Sequence, residues 1–221
     1  MMPDWTSIIK NSVANYPLCD QSWLRNDGGW YGNEHVAVDW PLDNFSVVFE
    51  VGGYEGSWAS DIATRYNPFI WWFEPNQIAY QTAKGRIAKH PHIKMYNVGL
   101  GDRDGVFVLG GGNCDGASFT KSTSPVQAQM IDVVHFIQDN GIGHIDLMQV
   151  NIEGGEFLLL PYLINSGIIE RINALQIQWH VDFEKPDGPH GVEIRNKIWC
   201  KLAEQYTMTY NVHAFEGWKR K

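Results

Sequence analysis

From residue 45 onward, short apolar runs alternate with longer stretches whose apolar residues recur every three or four positions. That is the pattern of strands and helices wound around a mostly parallel sheet. Residues 46–51 (Ser-Val-Val-Phe-Glu-Val) predict a first, buried strand from their β-branched and aromatic content. Trp58, Ile62 and Tyr66, with Ala59 and Ala63 beside them, keep helical spacing and predict a helix directly after it. A second strand is expected over 69–74 (Phe-Ile-Trp-Trp-Phe-Glu), followed beyond Pro75 by a helix whose inner stripe is Ala79, Ala83 and Ile87. Residues 92–98 predict a third strand, 105–109 a hairpin or short antiparallel addition, and 131–138 a short helix. A fourth parallel strand is expected over 145–152, a helix broken in two by Pro161 over 156–165, and a fifth strand over 173–179. Ile194, Ile198, Trp199, Leu202 and Tyr206 share one face of a long helix, and 208–215 close the sheet as a final strand at or near its edge.

These elements predict an α/β fold: a doubly wound, mostly parallel, Rossmann-like sheet with helices on both faces and a helical and irregular N-terminal appendage. Residues 1–44 break the alternation, with a short helix over 5–13 and then a turn-rich aromatic stretch through Asp27, Gly28, Gly29, Trp30, Tyr31, Gly32 and Asn33. The expected organisation is an appendage over 1–44, able to serve as a substrate lid, and one domain over 45–221. No internal repeat or low-complexity tract divides the chain.

Composition narrows the class. Of 221 residues 44% are apolar and 19% charged, which suits one sizeable core and excludes a disordered chain. The sequence has neither an 18-residue apolar run nor a basic, apolar leader, so no membrane span is expected and a cytoplasmic setting is the simplest. Seventeen basic against 25 acidic residues give a net charge of −8, which opposes binding of nucleic acid. Lys219, Arg220 and Lys221 read as a solvated tail. Cys19, Cys114 and Cys200 lie far apart with no C-x-x-C, so neither a disulfide framework nor a metal site is expected.

In open α/β sheets ligands bind beyond the carboxyl ends of the strands, so the chemistry is sought there. The first strand runs into Glu50-Val51-Gly52-Gly53-Tyr54-Glu55-Gly56. Gly52 permits a tight turn, and Gly56 lets the following helix approach. The spacing is not the G-x-G-x-x-G that cradles a pyrophosphate, and the acid suits a ligand with a cationic or hydroxyl-bearing part. Glu74 ends the second strand before Pro75-Asn76, where a carboxylate can bind ribose hydroxyls or balance a helix dipole. Together the two acids predict a nucleoside-containing cofactor.

The series formed by 47–56, Phe73-Glu74-Pro75-Asn76, Asn97-Val98-Gly99-Leu100-Gly101-Asp102 and the 145–156 segment ending Ile152-Glu153-Gly154-Gly155-Glu156 resembles the FkbM family of S-adenosylmethionine-dependent methyltransferases. The resemblance spans about residues 45–180. It implies a class I methyltransferase fold, S-adenosylmethionine as cofactor, and O-methylation of a saccharide or glycosylated small molecule. Carried over by position, it places Glu50, Gly52, Gly53, Tyr54 and Gly56 around the methionine part of the cofactor. Glu74, with Pro75 and Asn76 behind it, would hold the ribose, Asn97, Val98 and Gly99 would border the adenine, and Asn151, Ile152 and Glu153 would face the sulfonium. The family usually carries Lys and Asp where this chain has Gln149 and Asn151, and Asp where it has Glu50. Losing the Lys and Asp together keeps the local charge balance and makes a bound Mg²⁺ less favourable.

Methyl transfer to a hydroxyl needs alignment and a proton acceptor. His180, at the end of the fifth strand, is the candidate base, with Asp182 placed to fix its tautomer and with Glu153, Asn151 and Asp182 in reserve. The loop 184–191 could close over an acceptor, and Trp30, Trp40 and Trp179 could stack on a sugar ring. A nicotinamide-dependent oxidoreductase on a related sheet and a non-catalytic binding module are the competing classes.

Overall fold

The computed structural model describes residues 5–16, 38–110, 126–180, 190–212 and 215–221. Its elements are α1 (Trp5–Ser12), β1 (Val47–Val51), α2 (Ser57–Tyr66), β2 (Phe69–Phe73), α3 (Gln77–Ile87), β3 (Ile93–Tyr96), β4 (Gly99–Gly101), β5 (Gly105–Leu109) and β6 (Val126–Asp132). They continue with α4 (Val133–Asp139), β7 (Leu147–Val150), α5 (Glu156–Asn165), β8 (Ala174–Gln178), α6 (His190–Gln205), β9 (Tyr206–Val212) and β10 (Phe215–Arg220).

The main sheet has seven strands in the order β3-β2-β1-β7-β8-β10-β9. The first five run parallel, and β10 is antiparallel to both of its neighbours. The expected α/β architecture is therefore present. The chain winds outward from β1 to β3 and returns on the other side of β1 as β7, so the switch point lies between β1 and β7.

Strand alternation divides the core between two faces. Val48, Ile70, Trp72 and Leu147 pack with Ala59, Ile62, Ala83 and Ile87 of α2 and α3. Phe49, Val51, Trp71, Phe73, Met148, Val150, Leu175 and Ile177 face α4, α5 and α6. The described parts of residues 1–44 meet both faces: Val13 and Tyr16 join the α5 side, and Trp40 joins the α2 side. Register also sets a polar row on the α2 side, with Glu50 opposite Gln149 and Gln149 opposite Gln176.

Four expectations are corrected. Pro161 does not break α5, which runs unbroken from Glu156 to Asn165. Leu158, Leu159, Leu160 and Leu163 around it are all buried. At about 1.5–3 kcal/mol for each leucine, that burial outweighs the roughly 3 kcal/mol that an interior proline costs. The antiparallel addition expected over 105–109 is present as β5, which pairs with β6, and β6 is also paired parallel with β4 in a separate three-stranded sheet. Residues 131 and 132 complete β6, and Asp132 caps α4 by accepting from the Val134 and His135 N–H groups. The chain closes with two strands rather than one: Tyr206 leaves the helix to start β9, and Lys219 and Arg220 belong to β10. Cys200 is disulfide-bonded, contrary to the expectation from cysteine spacing. No helix of the described residues is long and apolar enough to cross a membrane.

Candidate active site

The turn after β1 is pressed between its neighbours. The N–H groups of Gly52 and Gly53 both donate to the Phe73 carbonyl, each at 3.0 Å. Gly52 has φ +84°, and a Cβ there would run into the Asn151 carbonyl; one on Gly53 would run into the Trp72 indole. Both glycines are thus required by close approach of the chain to itself. Gly56, at φ +76°, precedes α2, and the close approach at it comes from Ala83 and Ile87 of α3 rather than from the helix that follows it. Tyr54 holds the left-handed region at φ +46° and is 40% exposed at the mouth of the turn.

Two acids stand at this edge. Glu74 accepts from the Tyr54 N–H at 2.8 Å through Oε2 and from the Asn76 N–H at 2.7 Å through Oε1, which fixes the carboxylate and leaves a lone pair on each oxygen. Burial raises its pKa, and those two N–H groups oppose the rise. Glu50 is 2% exposed. Burial pushes its pKa well above the carboxylate range, the Glu74 charge adds to the rise, and the Ala59 N–H works against it. The Glu50 Oε2, Gln149 Oε1 and Asn151 Oδ1 atoms are buried without a hydrogen-bond partner among the described residues. Three unmet acceptors on β1 and at the end of β7 fit a ligand that brings positive charge or donors.

At the end of β8, His180 is held between two carboxylates from the start of α5. Its Nε2 lies 2.9 Å from Glu153 Oε1 and its Nδ1 3.2 Å from Glu156 Oε1, which also accepts the His180 backbone N–H at 2.7 Å. Burial lowers the imidazole pKa, but the hydrogen bonds and charges of Glu153 and Glu156 outweigh it and push the value up to about 10. His180 is therefore an imidazolium at neutral pH rather than the neutral base expected from sequence. Glu153 sits at φ +51°, a left-handed conformation that turns its side chain toward the histidine at a cost in backbone strain. Gly154 donates its N–H to Glu156 Oε2 at 2.9 Å, which fixes the second carboxylate.

The remaining sequence candidates divide. Asn76 spends its side chain on capping α3, accepting from the Ile78 and Ala79 N–H groups. Asn97 donates through Nδ2 to the Glu74 carbonyl at 2.8 Å, tying its loop to the end of β2 beside Pro75, Val98 and Gly99. Ile152 packs against the core that faces α5. Trp179 is buried and bonded to Glu216, and Trp40 is buried and bonded to Gln176, so neither offers a face to a sugar. Asp182, Trp30 and residues 184–189 lie outside the described residues. Sequence reasoning missed Glu156: the sequence shows it three positions after Glu153 at a helix start, but only the fold brings both acids to His180. Among the described residues no group of three His, Cys, Asp or Glu side chains is placed to hold a metal.

The family model described as the methyltransferase FkbM domain matches residues 50–206. No curated protein sequence matches the chain. Solved structures that align with it include an rRNA methylase from Streptococcus thermophilus, at 11% identity and a TM-score of 0.47, over 81% of this chain and 89% of that one. The fibrillarin/Nop5p complex aligns at 10% identity and a TM-score of 0.49 over 81% and 75% of the two chains. Precorrin-6y C5,15-methyltransferase from Geobacter metallireducens aligns at 9% identity and a TM-score of 0.48 over 89% and 95%.

Proposed function

Because this chain belongs to the FkbM methyltransferase family, we propose that it transfers a methyl group from S-adenosylmethionine to a hydroxyl of a saccharide or glycosylated small molecule. The observation that carries the reading is the set of unmet acceptors, Glu50 Oε2, Gln149 Oε1 and Asn151 Oδ1, beside the glycine turn of β1. They suit the ammonium and sulfonium charges of the cofactor. Glu50, Gly52, Gly53, Tyr54 and Gly56 would hold its methionine part, and Asn151 and Ile152 would border the sulfonium. Glu74, fixed by two backbone N–H groups, would hold the ribose hydroxyls beside Pro75 and Asn76, with Asn97, Val98 and Gly99 along the adenine.

Bound there, the cofactor supplies an electrophilic methyl group, and its transfer to a hydroxyl releases a proton. Glu153, Glu156 and a cationic His180 together leave one negative charge, so the cluster can take up that proton and become neutral. Glu153 is the acceptor that can reach solvent, with a side chain 27% exposed, whereas the Glu156 side chain is fully buried. His180 holds Glu153 in place and offsets its charge. The net charge of −8 disfavours an anionic acceptor, and an uncharged, hydroxyl-bearing one fits it.

Calorimetric titration with S-adenosylhomocysteine tests the cofactor site. Micromolar binding that Glu74→Ala weakens is expected, and no binding to the wild type would overturn the reading. Transfer of a labelled methyl group to a panel of neutral saccharides then tests the acceptor. Turnover should be lost in His180→Ala with product binding retained.

A further inference from the structure

Glu216 is 2% exposed on β10, on the face that packs against α5 and α6, and the mechanism does not use it. Three indole N–H groups converge on its Oε2: Trp179 at 2.7 Å, Trp199 at 2.7 Å and Trp218 at 3.1 Å. They come from the end of β8, from α6 and from β10, and the Arg195 guanidinium lies 4.2 Å from the Trp199 ring centroid. Burial pushes the Glu216 pKa up to about 7 against the pull of the indoles and of Arg195. A carboxylate is costly in a core that apolar residues could fill, so its gain is sought in alignment.

Trp179 immediately precedes His180, and its ring packs on Phe157, 5.3 Å between centroids. Phe157 immediately follows Glu156. Both ends of the hydrogen bond between His180 and Glu156 are thus fastened to one indole, and that indole is fastened to Glu216.

We infer that Glu216 is a positioning residue: through Trp179 it sets the placement of His180 between Glu153 and Glu156. If the indole is released, the backbone at 179–180 gains freedom and both contacts of the imidazole lengthen. The inference deepens the functional reading of His180, but its test requires no methyl transfer.

The test is an NMR titration of the His180 imidazole in the wild type, Trp179→Phe, Trp218→Phe and Glu216→Gln, with S-adenosylhomocysteine binding measured alongside. Trp179→Phe and Glu216→Gln should lower the proton affinity of His180 about tenfold, one pH unit, with product binding unchanged. Trp218→Phe removes a donor from the same oxygen at a position paired with Leu175 of β8 rather than with the β8 end that leads into Trp179 and His180, and should leave His180 as in the wild type. A wild-type titration in Trp179→Phe, or an equal shift in Trp218→Phe, would overturn the inference. If Glu216→Gln does not fold, the two tryptophan variants decide. Failure of the wild type to bind product would count against the functional reading alone.

Discussion

Outside the fold His180 would titrate near 6.5; between Glu153 and Glu156 it does so at about 10. A group whose folded pKa is raised stabilises the protein fully below its unfolded pKa, and that stability drains away as pH climbs through the folded value. The excess of wild-type stability over His180→Asn should therefore be greatest below about pH 6.5 and shrink steadily toward pH 10, as read by urea unfolding across that range. A gap that stays constant would mean the imidazole is not charged in the folded state. Sequence singled out this histidine but assigned it the opposite charge, because its partners sit 24 and 27 positions earlier in the chain. Glycines 52 and 53 were legible as a turn, whereas the bodies they make room for, the Asn151 carbonyl and the Trp72 indole, were not.

Helices were the most legible elements. The stripe Ala79, Ala83 and Ile87 is the buried face of α3, since 3.6-residue periodicity is a property of a short window of sequence. The start of α3 shows where such a window misleads. Asn76 belongs to a segment that resembles a cofactor motif, yet its side chain satisfies two N–H groups of the first turn. Asn76→Ala should cost about 1 kcal/mol in unfolding free energy and leave S-adenosylhomocysteine affinity unchanged; a loss of affinity without loss of stability would restore the side chain to the cofactor site. Strands β4 and β6 escaped notice because they bury few side chains. Strand β6 pairs with β4 through residues 31 positions apart, as Gly99 with Met130, and with β5 through residues 17 to 25 apart, rather than through any local alternation.

Across the whole molecule, the C-terminal hairpin completes the sheet from within. Strand β10 enters between β8 and β9, which places Gly217 opposite Gln176 on one side and Tyr210 on the other. The Tyr210 ring lies over the glycine, and its hydroxyl donates to Gln176 Oε1 at 2.9 Å beside the Trp40 indole at 3.0 Å. Gly217→Ala would drive a Cβ into that ring and should cost about 1–3 kcal/mol in urea unfolding; an unchanged midpoint would show that the ring does not cover the glycine. The sequence alone settled the alternation of strands and helices, the acids and glycines at the strand ends, and the motif series of the family. Each of these is written in stretches of a dozen residues or fewer, where side-chain period and turn chemistry act locally. Only the tertiary structure decided that β10 lies inside the sheet, that Pro161 is carried within a helix, and that His180 is a cation. Those outcomes depend on burial and on charges brought together from distant parts of the chain, and interactions of that kind leave no period in the sequence.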